Sequence, residues 1–266
     1  IKGTLLSILF VLLLFGAVIV LENLNLYIPK ESLPKWLKPT SMLFTVLKKG
    51  AVYSLIAVSM NLLNGFTGLF SLGHAGFMLL GAYTYAIFCT PTGIKESVFY
   101  KFGGSSVNFS LQELYASFIG NEMLSNLLGV ITAMILAGLV AAFFAFLIGL
   151  PVLRLKSDYL AIATLGFAEI VRALFQWEQP AWSKITNGAN IIKGFPLFTN
   201  FNIKGSNGKV VFYMSTLFPI VIAAICITVM VLIIKSTYGR AFKAIRDDEI
   251  AAEAMGINLA KHKMLS

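Results

Sequence analysis

Six stretches of the chain are apolar over most of the length that a membrane-spanning helix needs. A spanning helix takes about 20 mostly apolar residues, because the hydrocarbon core of a bilayer is about 30 Å thick. Transmembrane strands would alternate apolar and polar residues, so this pattern predicts helices. The predicted spans are Thr4–Leu21, Met42–Leu63, Ala75–Phe88, Leu124–Leu150, Tyr159–Gln176 and Val211–Ile234.

Composition indicates the same class of protein. Of the 266 residues, 58% are hydrophobic and 12% are charged, whereas a soluble domain is about 25% charged. So few charges cannot cover a water-facing surface, which excludes a soluble enzyme. Loop cations that face anionic lipid explain the net charge of +9 better than nucleic-acid binding does. We therefore expect an all-α integral membrane protein, a polytopic helical bundle with about six transmembrane helices.

The ends of the apolar segments give further indications. Glu22 follows the first segment, with no small-residue cleavage pattern, so we predict an uncleaved anchor rather than a signal peptide. Lysine and arginine are denser in the shorter loops of one side, which favours a cytoplasmic amino terminus. The chain turns apolar again at Met264, and we expect further helices beyond Ser266. We treat residues 1–266 as one transmembrane domain.

A glycine-rich stretch between the second and third spans interrupts what would otherwise be two helices. Glycine frees the backbone from helical geometry, and irregular backbone at membrane depth survives only inside protein or against a water-filled cavity. Transporters build substrate sites from such broken helices. We predict that this stretch lines a substrate pathway, with a short cytoplasmic loop as the alternative. The predicted pathway residues are Asn61, Asn64, Gly65, Thr67, Gly68, Ser71, Gly73 and His74.

The fifth span carries three ionisable residues, Asp158, Glu169 and Arg172. Charges inside a span are costly and face a partner or a cavity. Glu169 and Arg172 are three positions apart, so they can pair on one helix face. We favour this pairing over a proton relay, because the other spans offer almost no further ionisable groups.

The sequence lacks the usual groups for chemistry of its own. Cys89 and Cys226 lie inside apolar runs and are interpreted as small hydrophobes, and we expect no metal site. Ser71 and His74 could approach each other as a nucleophile and base, but no orienting partner is evident. Gly208 and Lys209 lack the remaining residues of a phosphate-binding loop, so the chain alone cannot hydrolyse ATP.

A polar stretch from Ser236 to Asn258 follows the sixth span. Good helix formers predict a helix over Arg240–Met255, with Gly256 at its C-cap. This helix is too polar to span a membrane and lacks the Trp- or Leu-rich face of a surface anchor, so docking into another protein's groove is favoured. Its small-residue stripe comprises Ala241, Ala244, Ile245, Ala251, Ala252 and Met255.

Four blocks of the sequence, in order, carry a family resemblance. They read NLLNGFTGLFSLGHAGF, SDYLAIATLGFAEIVRALF, TNGANIIKGFP and STYGRAFKAIRDDEIAAEAMGIN. Together they resemble the permease of a high-affinity branched-chain amino acid ABC importer, the M-type subunit. The resemblance implies a homologous second permease subunit, two cytoplasmic ABC ATPase subunits and an extracytoplasmic solute-binding protein. It also implies a multi-pass protein of the prokaryotic cytoplasmic membrane.

By the same resemblance, residues 236–260 are similar to the cytoplasmic coupling helix that ABC permeases insert into a cleft of the ATPase. The usual signature is Glu-Ala-Ala followed by Gly; here Ile250 precedes the two alanines, and Glu249 is one place early. ATP and magnesium would bind the partner ATPases, with no cofactor on this chain. The implied coupling residues are Gly239, Arg240, Ala241, Ala244, Ile245, Asp247, Asp248, Ala251, Ala252 and Gly256.

The expected function is therefore ATP-driven import of branched-chain or other small aliphatic amino acids by alternating access. Other small neutral solutes, such as urea or short amides, are an alternative for the same kind of permease. An ATP-independent channel or carrier would need ionisable groups in line along the spans. An intramembrane enzyme would rest on Ser71 and His74 alone. The outer loop from Pro91 to Glu122 is longer than this family usually has, and it has no assigned role.

Overall fold

The computed structural model describes residues 2–28, 41–153, 157–204 and 210–266. Most of these residues are helical, and two short strands form the regular sheet that they contain. The helices are α1 (Lys2–Tyr27), α2 (Met42–Asn61), α3 (His74–Cys89), α4 (Thr92–Val98), α5 (Leu111–Ile119), α6 (Glu122–Val152), α7 (Ser157–Gln176), α8 (Pro180–Thr186), α9 (Leu217–Lys235), α10 (Thr237–Asp247), α11 (Glu249–Ala254) and α12 (Leu259–Leu265). A π-helical turn covers Leu62–Phe66, 3-10 turns cover Tyr100–Phe102 and Phe198–Phe201, and the strands are β1 (Ile203–Lys204) and β2 (Val210–Phe212).

Helices occur at all six predicted span positions, which confirms an all-α, multi-pass membrane protein. α1 covers the first predicted segment. Within the described residues, four helices are long and apolar enough to cross a membrane: Met42–Phe66, Met123–Val152, Tyr159–Gln176 and Leu217–Lys235. A fifth candidate span is added if α3 and α4, which are bent by 119° at a short break, form one span.

The sixth predicted span begins six positions too early. The helix starts at Leu217 rather than Val211, because Val211 belongs to β2, which pairs with β1 in an antiparallel hairpin. An apolar strand and the start of an apolar helix look alike when periodicity is the only signal.

The long outer loop from Pro91 to Glu122, for which the sequence suggested no role, contains two helices, α4 and α5. Phe99 is 1% exposed and packs with Ile87 of α3 and with Ile192. Lys95 of α4 is 3% exposed, and its Nζ donates to the carbonyl oxygens of Val107 at 2.9 Å and Phe109 at 2.6 Å. The buried ammonium group therefore holds the segment between α4 and α5 in place, since a buried charge needs such partners.

The described chain divides into two compact units. In the second unit, α6 packs against α3 and α5, and α3 packs against α7. Aromatic pairs lie between α3 and α7: the ring centres of Phe77 and Phe167 are 5.4 Å apart, and those of Tyr83 and Phe175 are 4.4 Å apart. The first unit comprises Ile1–Val58 and Leu197–Val229, and the second comprises Ser59–Pro196 and Met230–Ser266.

The polar stretch after α9 folds into two short helices, so the single helix predicted over Arg240–Met255 is wrong. Asp248 is extended (φ −159°, ψ 112°) and ends α10. Its Oδ1 accepts from the backbone N–H groups of Ile250 at 2.9 Å and Ala251 at 3.1 Å, and so caps α11. An aspartate that caps a new helix competes with continuation of the old one. The C-cap of α11 is Met255 rather than the predicted Gly256, which follows it with a φ of +85°, a left-handed conformation that favours glycine after a helix end.

Candidate functional site

The regular helix is interrupted between α2 and α3. α2 passes directly into the π-helical turn, and irregular backbone follows from Thr67 until α3 begins at His74. Polar side chains satisfy the freed backbone: Asn64 Oδ1 accepts from the N–H of Ser71 at 3.3 Å, and Thr164 Oγ1 of α7 accepts from the N–H of Leu72 at 3.0 Å. The break (residues 62–73) is therefore a fixed structure, consistent with the need to pair backbone groups away from water.

A cavity of about 400 Å³ lies beside the break. Its wall is mainly apolar and is formed by residues of the break and of α2, α3, α6, α7, α9 and α12. This volume lies within the range of small-molecule sites, which are mostly apolar with a few polar groups. His74 Nδ1 is buried and makes no hydrogen bond of ordinary geometry within the described residues. The polar residues in the wall are Ser59, Ser71, His74, Thr164, Lys263 and Ser266.

The predicted pathway residues separate into two groups. Ser71 and His74 belong to the cavity wall. Gly65 and Gly68 instead face α10, where Arg246 contacts both. The other predicted pathway residues are not among the described residues that line the cavity; they are Asn61, Asn64, Thr67 and Gly73. The side chain of Asn64 instead stabilises the break through its hydrogen bond with Ser71.

Ser71 and His74 are not arranged as a nucleophile and its base. Ser71 Oγ accepts from the backbone N–H of Gly73 at 3.3 Å. Within the part of the chain that the structure describes, no hydrogen bond joins the side chains of Ser71 and His74. A hydrolytic pair needs that hydrogen bond or a base that is otherwise oriented.

The small-residue stripe predicted for the coupling region is not one exposed face. Ile245 is 1% exposed and Ala252 is 4% exposed, because the turn at Asp248 and the packing of α10 and α11 on α12 bury them. Gly239 is also buried, and Ala241 and Ala244 are half-buried. The predicted coupling residues that remain exposed are Arg240, Asp247, Asp248, Ala251 and Gly256.

Two large apolar side chains of this region are exposed, and the predicted stripe includes only one of them, Met255. Ile250 is 82% exposed and Met255 is 83% exposed. Ile250 lies just after the N-cap residue Asp248, and Met255 lies just after the last residue of α11. A sequence prediction that started a new helix at Glu249 would have identified both residues. We call Ile250, Ala251 and Met255 the α11 surface.

Glu249, which stands one place early in the family signature, has a structural contact. Its Oε2 accepts from Lys263 Nζ of α12 at 2.7 Å. Lys263 is also part of the cavity wall. This ion pair therefore links α11 to the cavity through α12.

The predicted pairing in α7 is present. Glu169 Oε2 accepts from Arg172 Nε and lies 2.9 Å from Arg172 Nη2. Both side chains are exposed on the helix surface. Asp158 is in the first turn of α7, but its side chain lies outside the described residues.

The first unit contains a buried polar cluster that the sequence did not reveal. The carboxyl group of Glu22, which is 0% exposed, accepts from Ser215 Oγ at 2.7 Å, from Thr216 Oγ1 at 2.8 Å and from the backbone N–H of Thr216 at 3.1 Å. Lys48 Nζ of α2 donates to Ser215 Oγ at 2.8 Å. The carboxyl group thus lies at the N-terminus of α9, where the helix dipole favours negative charge.

Cys89 and Cys226 are free thiols, buried and half-buried respectively. Over residues 2–28, 41–153, 157–204 and 210–266, no group of three or more His, Cys, Asp or Glu side chains could hold a metal ion.

Comparison with known proteins agrees with the membrane-protein fold described above. Residues 42–266 match the family described as "Branched-chain amino acid transport system / permease component". No solved structure matches the chain.

Individual relatives carry names of the same kind. The chain is 31% identical over 235 residues to proteins of Salmonella typhimurium and Escherichia coli, each named "High-affinity branched-chain amino acid transport system permease protein LivM"; the match covers 80% of this chain and 46% of each relative. It is 28% identical over 220 residues to a Methanocaldococcus jannaschii protein named "Probable branched-chain amino acid transport permease protein LivM", with 79% of this chain and 58% of the relative covered. The chain thus spans about half the length of these relatives. It belongs to the family of permease components of branched-chain amino acid transport systems.

Proposed function

We propose that this chain is the permease subunit of an ATP-driven importer that moves branched-chain or other small aliphatic amino acids across a prokaryotic cytoplasmic membrane by alternating access. Its family consists of transport permease components, and two relatives are named high-affinity branched-chain amino acid permeases. It would work with a homologous second permease, two cytoplasmic ABC ATPases that bind ATP and magnesium, and an extracytoplasmic solute-binding protein.

The contact between α10 and the helix break carries this proposal. α10 lies in the region proposed to dock on the ATPase, and its Arg246 donates to Gly65 O at 3.1 Å. Ser71, further along the same break, and His74, the first residue of α3, border the cavity. A movement imposed on α10 by a partner would therefore reach the cavity through this short segment, beside the route through α12. A binding site that has two arrangements is what alternating access requires.

The cavity wall supports a small, largely aliphatic solute. It has about 400 Å³ of space and mostly apolar side chains, such as Leu69 and Phe77. Hydroxyl groups of Ser71 and Thr164 and the imidazole of His74 supply the polar contacts. In this interpretation the external binding protein carries most of the selectivity, so the pathway needs few polar groups.

The test is uptake by the assembled complex in proteoliposomes. With its ATPases, its second permease and its binding protein, the full-length protein is expected to accumulate radiolabelled leucine only when ATP is hydrolysed. Valine and isoleucine are expected to stimulate ATP hydrolysis more than urea or acetamide does. Leucine uptake that persists with a non-hydrolysable ATP analogue, or uphill uptake by this chain alone, would show a channel or carrier instead.

The α11 surface gives a prediction about docking. Ile250→Arg or Ala251→Arg is expected to lower ATP-driven uptake by about tenfold or more, because a charge on a residue that is desolvated at an interface costs about 2 kcal/mol or more. Both residues are exposed in the isolated chain, so insertion and melting temperature should not change. Pull-down of the ATPases should weaken in parallel.

Ile191→Arg is the matched control, because Ile191 is an equally exposed apolar residue (76%) in the loop after α8. That variant should transport like the parent protein. Normal ATPase binding by both Ile250→Arg and Ala251→Arg would place the ATPase contact elsewhere.

A further inference from the structure

Arg246 joins the last turn of α10 to the helix break. Its Nη1 donates to the backbone carbonyl oxygen of Gly65 at 3.1 Å. The last carbonyl groups of a helix have no partner within that helix, and Gly65 lies in the π-helical turn that ends α2. The guanidinium group therefore satisfies a backbone acceptor at the point where the helix stops.

The aliphatic part of the same side chain packs on Gly68. A Cβ atom on Gly68 would lie 2.7 Å from Arg246 Cγ, and the φ of Gly68 is +75°. Glycine alone adopts that φ without strain and leaves that space. A second cation of α10 contacts the same break, since Lys243 Nζ lies 5.6 Å from the ring centre of Phe66.

Asp247 fixes the orientation of the guanidinium group. Its Oδ1 accepts from Arg246 Nε at 3.2 Å and from Nη2 at 3.0 Å, which leaves Nη1 directed to Gly65. The planar fork of arginine can make these bonds together, whereas the single ammonium group of lysine cannot.

We propose that Arg246 is a positioning residue that transmits movement of α10 to the helix break and so to the cavity. This inference rests on the proposed function, because it supposes that α10 is moved by a partner. The break carries contacts with Arg246 at Gly65 and Gly68 and borders the cavity at Ser71. Loss of the Arg246 contacts would weaken the link through which movement of α10 reaches the break and the cavity wall at Ser71.

The first arm of the test measures the break without any transport. A Ser71→Cys variant, made in a Cys89→Ala, Cys226→Ala background, is labelled in native membranes with a membrane-permeant maleimide. Ser71 is 5% exposed, so labelling reports local opening of the break. Adding Arg246→Ala is expected to raise the labelling rate about tenfold. Ser183→Cys, a buried site in α8, should label at the same rate with and without Arg246.

The second arm measures coupling in the reconstituted complex. Arg246→Ala and Arg246→Lys are expected to lower leucine uptake per ATP hydrolysed by about tenfold, within the usual range of coupling between sites. The rate of ATP hydrolysis and the melting temperature should stay close to those of the parent. Lys261→Ala, which removes an exposed cation from α12, should leave the coupling ratio unchanged.

Two results would overturn the role of Arg246: an unchanged labelling rate at Ser71→Cys, or a fall in ATP hydrolysis in proportion to uptake, which would indicate a docking role. A parent complex without ATP-driven leucine uptake would contradict the proposed function instead, and the labelling arm would still decide whether Arg246 holds the break.

Discussion

Replacing Glu22 with alanine is expected to lower the free energy of unfolding by about 3–5 kcal/mol. The change leaves the hydroxyl groups of Ser215 and Thr216 and the backbone N–H of Thr216 without their acceptor, in a place where Glu22 itself is 0% exposed. Buried donors that lose their acceptor keep the full desolvation cost. The melting temperature of the detergent-solubilised protein, measured by fluorescence-detected size exclusion, should fall by about 6 °C or more.

Two further variants define the origin of that loss. Glu22→Gln keeps one carbonyl oxygen as an acceptor and should lose less stability than Glu22→Ala. Glu178→Gln removes a carboxylate that pairs with Lys101 at 2.9 Å on the surface, and it should change the stability by less than about 1 kcal/mol. If Glu22→Ala has the same melting temperature as the parent protein, the cluster does not hold α1 to the start of α9.

Gly239→Ala is expected to abolish most ATP-driven uptake while leaving the membrane helices inserted. A Cβ atom on Gly239 would overlap the backbone carbonyl of Ile234, which cannot move aside as a flexible side chain can. α10 would have to shift away from the end of α9, which removes a close approach that only glycine allows. Uptake should fall by about tenfold or more, and limited proteolysis should cut sooner between α9 and α10.

Gly166→Ala is the matched control, because a Cβ atom on Gly166 of α7 would meet nothing within 4 Å. That variant should transport normally, with a melting temperature equal to or above that of the parent, since alanine favours helix. Uptake by Gly239→Ala at the parent level would show that α10 does not need its present position against α9.

The positions of the membrane helices could be predicted because a continuous apolar run of sufficient length has few alternatives in lipid. The error at Val211 arose where that signal is ambiguous, at an apolar strand next to an apolar helix. The break at Asp248 was missed for a different reason. Aspartate in an acidic, alanine-rich run fits a helix by composition, and only the backbone shows that its side chain caps the next helix.

The polar contacts were harder to predict because their partners are far apart in the chain. Glu22 and Ser215 are 193 positions apart, and Arg246 and Gly65 are 181 positions apart. No local pattern joins them: Glu22 directly follows one apolar run, and Lys48 lies within another. Of the predicted pathway glycines, Gly65 and Gly68 lie against Arg246 of α10, whereas Gly73 lies against Thr164 of α7.

The π-helical turn at Leu62–Phe66 has a consequence for how the break could change shape. Such a turn accommodates one residue more than an α-helical turn does. Returning it to α geometry would advance the residue that follows it, Thr67, by one step, a rotation of about 100° around the helix axis. A one-residue slip of backbone register is thus a discrete way to change the direction in which the chain leaves α2.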